Sequence, residues 1–110
     1  MHKLLVPALA IAVAAVCGQA LAAGRSIKVG DNYFVRKGHP PTVRVAKGTR
    51  VTWRWKGSGY HDVHAVKGPR HFSSAVKRDG TFSRRLRRRG TYKIVCDIHS
   101  SKMRMTLKVY

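Results

Sequence analysis

The stretch Thr91-Tyr92-Lys93-Ile94-Val95-Cys96-Asp97-Ile98-His99-Ser100-Ser101-Lys102-Met103-Arg104-Met105-Thr106-Leu107-Lys108-Val109 reads as two strands joined by a polar loop. In its first part Tyr92, Ile94 and Cys96 share a face. In its last part Met105, Leu107 and Val109 do, with Arg104, Thr106 and Lys108 opposite. Successive side chains point to opposite faces of a strand, so each part offers one face to a core and one to water. The Cys96 thiol thus points the same way as two core side chains, and Met103 has inward parity by the same count.

Upstream, the period of two recurs. Thr42-Val43-Arg44-Val45 alternates, Lys47-Gly48 marks a turn, and Arg50–Trp55 places Val51, Trp53 and Trp55 on one face. After the Gly57-Ser58-Gly59 loop, residues 63–66 are predicted as a short strand. A loop containing Gly68-Pro69 follows, with Phe72 as its apolar plug. Asp79-Gly80 is a tight-turn signal before a predicted strand over 81–86. There Arg84 shares parity with Phe82 and Leu86, so a bulge or an edge position is expected. Short alternating strands, frequent turn signals and no helical period after residue 24 predict an all-β chain, an antiparallel sandwich or barrel.

The chain has 110 residues and opens with Lys3 and an uninterrupted apolar run from Leu4 to Val16, with small residues at Ala20-Leu21-Ala22-Ala23. This reads as a secretion signal over residues 1–23, leaving one domain over 24–110 of about 87 residues. An uncleaved membrane tether ranks second, since Leu4 to Ala23 approaches the length a spanning helix needs. Lipidation at Cys17 ranks third, because Val16 is bulkier than the residue usual before a lipidated cysteine. A domain of this size has a marginal core and gains from a metal or another staple.

Export makes the cysteine count informative. Cys17 falls in the removable segment, so the exported domain keeps Cys96 alone, without a disulfide partner. A solitary buried cysteine is often just a small hydrophobe. Here, however, His99 stands three residues on and Met103 four after that. Thiolate, imidazole and thioether together are a soft-metal set, and copper cycling between its two oxidation states is held by two His and one Cys with a weak axial Met. The missing imidazole is best supplied by His61, directly after the Trp-containing strand. His64 would face away from His61 in a regular strand, while His39 and His71 read as loop residues.

Charge is the second strong feature. Lys and Arg number 23 against four acidic residues, all Asp, and loss of Lys3 leaves a net charge of about +18. An exported chain this basic attracts acidic protein partners, anionic envelope polymers and anionic lipid surfaces, less so as salt rises. The densest block, Arg84-Arg85-Leu86-Arg87-Arg88-Arg89, reads either as a solvated strand face and turn or as a docking surface. The export signal argues against a physiological nucleic-acid partner.

Taken as a set, several motifs resemble a known family. They are Gly48-Thr49, the Trp-containing strand, Tyr60-His61-Asp62-Val63, Gly68-Pro69, Phe72-Ser73-Ser74, Gly80-Thr81-Phe82, Gly90-Thr91-Tyr92 and the Cys96 to Met103 loop. The pattern is similar to cupredoxins of the plastocyanin and amicyanin type and spans most of residues 26–110. The resemblance implies a Greek-key β-sandwich with one type 1 (blue) copper, acting as a one-electron carrier and not as an enzyme. It implies His61, Cys96 and His99 as the strong ligands, Met103 as the axial thioether with Met105 as the fallback, and His99 as the electron port. Together with the positive charge of the chain, that role predicts an acidic redox partner. A monomer in the periplasm, the cell envelope or the extracellular space is expected.

The chain departs from the family at two points. Three residues separate His99 from Met103, where relatives use two or four. Asp62 and Asp97 also stand where relatives often have Asn and a hydroxyl residue. Two carboxylates at short range do not both ionise cheaply, so a shared proton or a bridging Arg or Lys is expected. Two other readings of function stay open: an envelope copper carrier or buffer that delivers metal, and a metal-free domain that binds polyanions.

Overall fold

The alternating stretches do form strands. A computed structural model describes residues 24–110; the expected leader over 1–23, Cys17 included, lies outside the described residues. The strands are β1 (Arg25–Gly30), β2 (Tyr33–Phe34), β3 (Thr42–Val45), β4 (Arg50–Trp55), β5 (His64–Lys67), β6 (Thr81–Arg85), β7 (Gly90–Val95) and β8 (Arg104–Val109). They make two four-stranded sheets, ordered β2-β1-β4-β6 and β3-β8-β7-β5. The described residues thus form the Greek-key β-sandwich expected of them.

The sheets are mixed, which corrects the expectation of an antiparallel arrangement. β1 runs parallel to β4, with Ile27 beside Trp53, and β3 runs parallel to β8, with Val43 beside Leu107. A period of two decides which face a strand buries but not the direction of its neighbour.

β6 is an edge strand, as the parity of Arg84 required. Leu86 leaves the ladder but stays buried, its N–H donating to Thr49 O at 2.9 Å. Arg84 turns outward and stacks over the Phe72 ring at 5.4 Å. The register irregularity falls instead in β5, between Ala65 and Lys67.

Between the sheets, Trp53, Phe72, Phe82 and Tyr92 form an aromatic cluster with centroid separations of 5.8 to 6.2 Å. The rings are tilted relative to one another, at spacings where such pairs add to simple burial. Phe72 is thus the plug expected of its loop. Ile27, Val51, Ile94, Met105 and Leu107 complete the buried layer. β4 and β7 both run toward one end of the sandwich, where Trp55 Nε1–H donates to His61 O at 3.2 Å. Cys96 follows directly on β7 at the same end.

Candidate metal centre

Three donors converge at this end. His61, Cys96 and His99 each offer one ligand atom, and these atoms lie within 4.8 Å of one another. Cys96 Sγ is 4.0 Å from His61 Nδ1 and 3.8 Å from His99 Nδ1. An imidazole nitrogen and a thiolate sulfur about 2.1 and 2.3 Å from a common ion, at trigonal angles, stand about 3.8 Å apart. The spacing therefore fits a single bound ion.

Each donor is placed by its local backbone. His61 follows the β4 loop and is bridged to Lys77, with N–H to O distances of 3.0 Å in both directions. Cys96 follows directly on β7 and precedes a 3₁₀ turn over Asp97–His99 that brings His99 back toward the sulfur. Met103 closes the loop: its N–H donates to His99 O at 2.8 Å, and Cys96 N–H donates to Met103 O at 3.0 Å. Cys96 and Met103 are fully buried and His61 is 1% exposed, whereas His99 is half-buried. Met105 lies within β8 opposite Ile94 and packs as core. Loop position thus favours Met103 over Met105 as the thioether.

The electrostatics are those of an enclosed sulfur. Burial pushes the Cys96 thiol up, while backbone N–H groups of Asp62, Ile98 and His99 directed at it pull it down. Bound metal stabilises the thiolate directly, so uptake of an ion releases the proton.

Asp62 is buried, and its Oδ1 accepts the Asp97 backbone N–H at 2.7 Å, tying the His61 loop to the Cys96 loop. Burial, reinforced by the neighbouring Asp97 carboxylate, raises Asp62. Asp97 is lowered, by Asp62 and then by His64. The Asp97 carboxylate accepts the His64 Nδ1–H at 2.9 Å. The basic side chain bonded beside this carboxylate pair is therefore the His64 imidazole, where the bridging alternative expects an Arg or Lys. His64 bonds to Asp97 and lies outside the cluster of three donors. His71 and His39 also lie outside the donor cluster.

One residue at this end escaped the sequence reading. Asp31, at the tip of the β1–β2 hairpin, places Oδ1 3.1 Å from His61 Nε2. A carboxylate only accepts, so Nε2 carries the proton and leaves the Nδ1 lone pair toward Cys96. The same carboxylate accepts the N–H groups of Ser58 and Gly59 at 3.0 and 2.9 Å. Those bonds, with the one from His61, hold it far below the usual carboxylate range. A Cβ on Gly57 would overlap this carboxylate, which explains why the loop is glycine-rich. A lone Asp thirty residues before His61 carries no local signal of this contact; its only sequence mark is Gly30-Asp31-Asn32, a turn.

No family model matches the chain, and no curated protein matches it. Solved structures do. It is similar to an oxidised amicyanin carrying a methionine-to-leucine substitution, with 21% identity and a TM-score of 0.67, over 79% of this chain and 82% of that one. It is likewise similar to the Cu(I) form of a methionine-to-alanine variant of amicyanin, with 23% identity, a TM-score of 0.66 and the same coverage. A Cu(I) methionine-to-glutamine variant matches over 81% of this chain and 83% of its own, at 22% identity and a TM-score of 0.66. Sheet order, the loop that follows β7 and these likenesses agree: the chain has the cupredoxin fold.

Proposed function

We propose that this chain is an exported type 1 copper protein that carries single electrons between redox partners, with one copper held by His61, Cys96, His99 and Met103. The observation that carries this reading is the convergence of two imidazoles and one buried thiol within 4.8 Å. A thioether on the loop that closes over them adds to it. Thioether and thiolate suit Cu(I), and the set as a whole suits the blue-copper arrangement better than a zinc site.

A copper ion held there would supply one-electron chemistry between its cupric and cuprous states. The residues do the rest. Asp31 fixes the tautomer and the direction of the His61 ring, and amides around Cys96 tune the sulfur. The Asp62 bond to Asp97 N–H keeps the two ligand loops in register. His99 is the one half-exposed donor, so it is the electron port. Ile98, 49% exposed beside it, and Tyr60, 57% exposed next to His61, give a partner an apolar landing. The large net positive charge of the chain favours an acidic partner, met in the periplasm or elsewhere in the envelope.

Delivery of metal calls for accessible ligands. The near-complete burial of His61 and Cys96 favours electron transfer over a carrier or buffer role. Cupric titration followed by absorption tests the reading. An intense visible band saturating at one equivalent, with reversible one-electron voltammetry, is expected; a folded protein that stays colourless refutes it.

A further inference from the structure

A second site lies at the opposite end of the sandwich. β7 runs from Gly90 to Val95 before reaching Cys96, so its first residue is roughly 20 Å from the donor cluster at the rise of a strand. At that end is a half-open cleft of about 580 Å³. Arg50, Arg70, Arg84, Arg85, Arg87 and Arg88 line it, and Phe72, Leu86 and Tyr92 form its apolar part.

Three features set this cleft apart from a merely solvated basic face. Among the described residues no carboxylate and no lysine lines it, although lysine is common elsewhere in the sequence. The arginines come from distant segments that the fold gathers: Arg50 and Arg85 are register partners across β4 and β6, and Arg70 arrives on the loop after β5. Some are held in place. Arg85 Nη1 donates to Gly48 O at 2.8 Å, Arg84 stacks on Phe72, and Tyr92 Oη donates to Arg88 O at 2.9 Å. Burial raises the Tyr92 phenol, while Arg70 and Arg88 pull it back, which places both charges near its oxygen.

We infer that this cleft is a binding site for an extended phosphate-bearing polyanion. The guanidinium fork matches tetrahedral oxyanions through paired hydrogen bonds, which explains why the cleft takes Arg and not Lys for its charge. Its concavity favours a flexible chain that threads among the arginines over a flat bilayer, which meets only the rim. The site is independent of the metal reading and leaves the His99 end free.

The test is calorimetric titration of the purified protein with inorganic polyphosphate near physiological salt. The comparison ligands are orthophosphate, polyglutamate of equal charge, duplex DNA, and vesicles of phosphatidylglycerol in phosphatidylcholine. Polyphosphate is expected to bind tightest. Replacing Arg84, Arg87 and Arg88 together by Gln is expected to weaken it at least about tenfold. Replacing Lys37, Lys56 and Lys108 by Gln removes the same charge outside the cleft and is expected to change it less than about threefold.

Equal weakening by both triple variants would overturn the site in favour of net charge alone. Tighter binding of polyglutamate or vesicles than of polyphosphate would overturn the phosphate-bearing polyanion, and tighter binding of duplex DNA would overturn the flexible chain in favour of a rigid duplex. A measurement on the wild type guards against misfolded variants: amide resonances of His71, Ser83 and Tyr92 shift on adding polyphosphate, and shifts that leave these residues unmoved refute the site.

Discussion

The two ends of the sandwich are built on opposite terms. At one, three donors converge, two of them buried and His99 half-buried, and three of the chain's four carboxylates, Asp31, Asp62 and Asp97, bond to the loops that carry them. At the other, six guanidiniums line an open cleft with no carboxylate among them. In a chain of net charge +19, acidic residues are scarce, and their placement is therefore informative. The fold sets them against the loops that carry the three donors and leaves the basic end uncompensated. One end depends on exact distances; the other depends on charge density and tolerates a moving ligand.

The contrast is sharpest under Cys96→Ser. This variant is expected to lose the intense copper colour completely while keeping wild-type affinity for polyphosphate, as read by absorption and calorimetry on one preparation. Loss of both together would mean that the ends are not separate sites.

Trp53→Ala attacks what the two ends share. Trp53 is fully buried against Phe72 and Phe82, and its truncation is expected to cost about 3–5 kcal/mol in urea unfolding, with donor spacing and cleft both loosened. An unchanged unfolding midpoint would remove the aromatic cluster as their common support.

Asp31→Ala probes the metal end alone. It is expected to weaken copper binding on the order of 10- to 100-fold in a chelator competition, as loss of a group orienting a ligand histidine does. Polyphosphate binding is expected to stay as it was. Asp31→Asn adds a smaller, pH-dependent effect. The native carboxyl is depressed below its unfolded value, so its contribution to stability is complete above about pH 4 and fades as pH falls through the folded value. The gap in urea midpoint between metal-free wild type and Asp31→Asn is therefore expected to be full at pH 6 and to narrow below pH 4. A gap that widens in acid would contradict the Asp31 bonds to Ser58 and Gly59.

Much of the candidate metal centre was legible in the sequence because its donors are local. Cys96, His99 and Met103 lie on one loop, and the alternation around them decides which way each points. His61 was legible through its position after a Trp-containing strand. The Arg-lined cleft was only half legible. The run from Arg84 to Arg89 is plain, yet neither Arg50 nor Arg70 announces that folding carries it there. The parallel pairings and Asp31 were hidden for the same reason: each depends on which distant segment lies alongside, and periodicity is silent on that. β1 and β2 also went unread, since two buried side chains at Ile27 and Val29 make too short a pattern to stand out.

The pairing of β1 has a practical consequence. Arg25 enters its sheet beside Val51, next to Arg50 of the cleft, and the strand then runs parallel to β4 toward the histidines. Any leash joined ahead of Gly24, whether a lipid anchor, a fusion partner or a linker to an electrode, pulls on the arginine side and presents the His99 edge outward. Immobilisation through the amino terminus should therefore yield an oriented film whose His61, Cys96 and His99 ends point into solution.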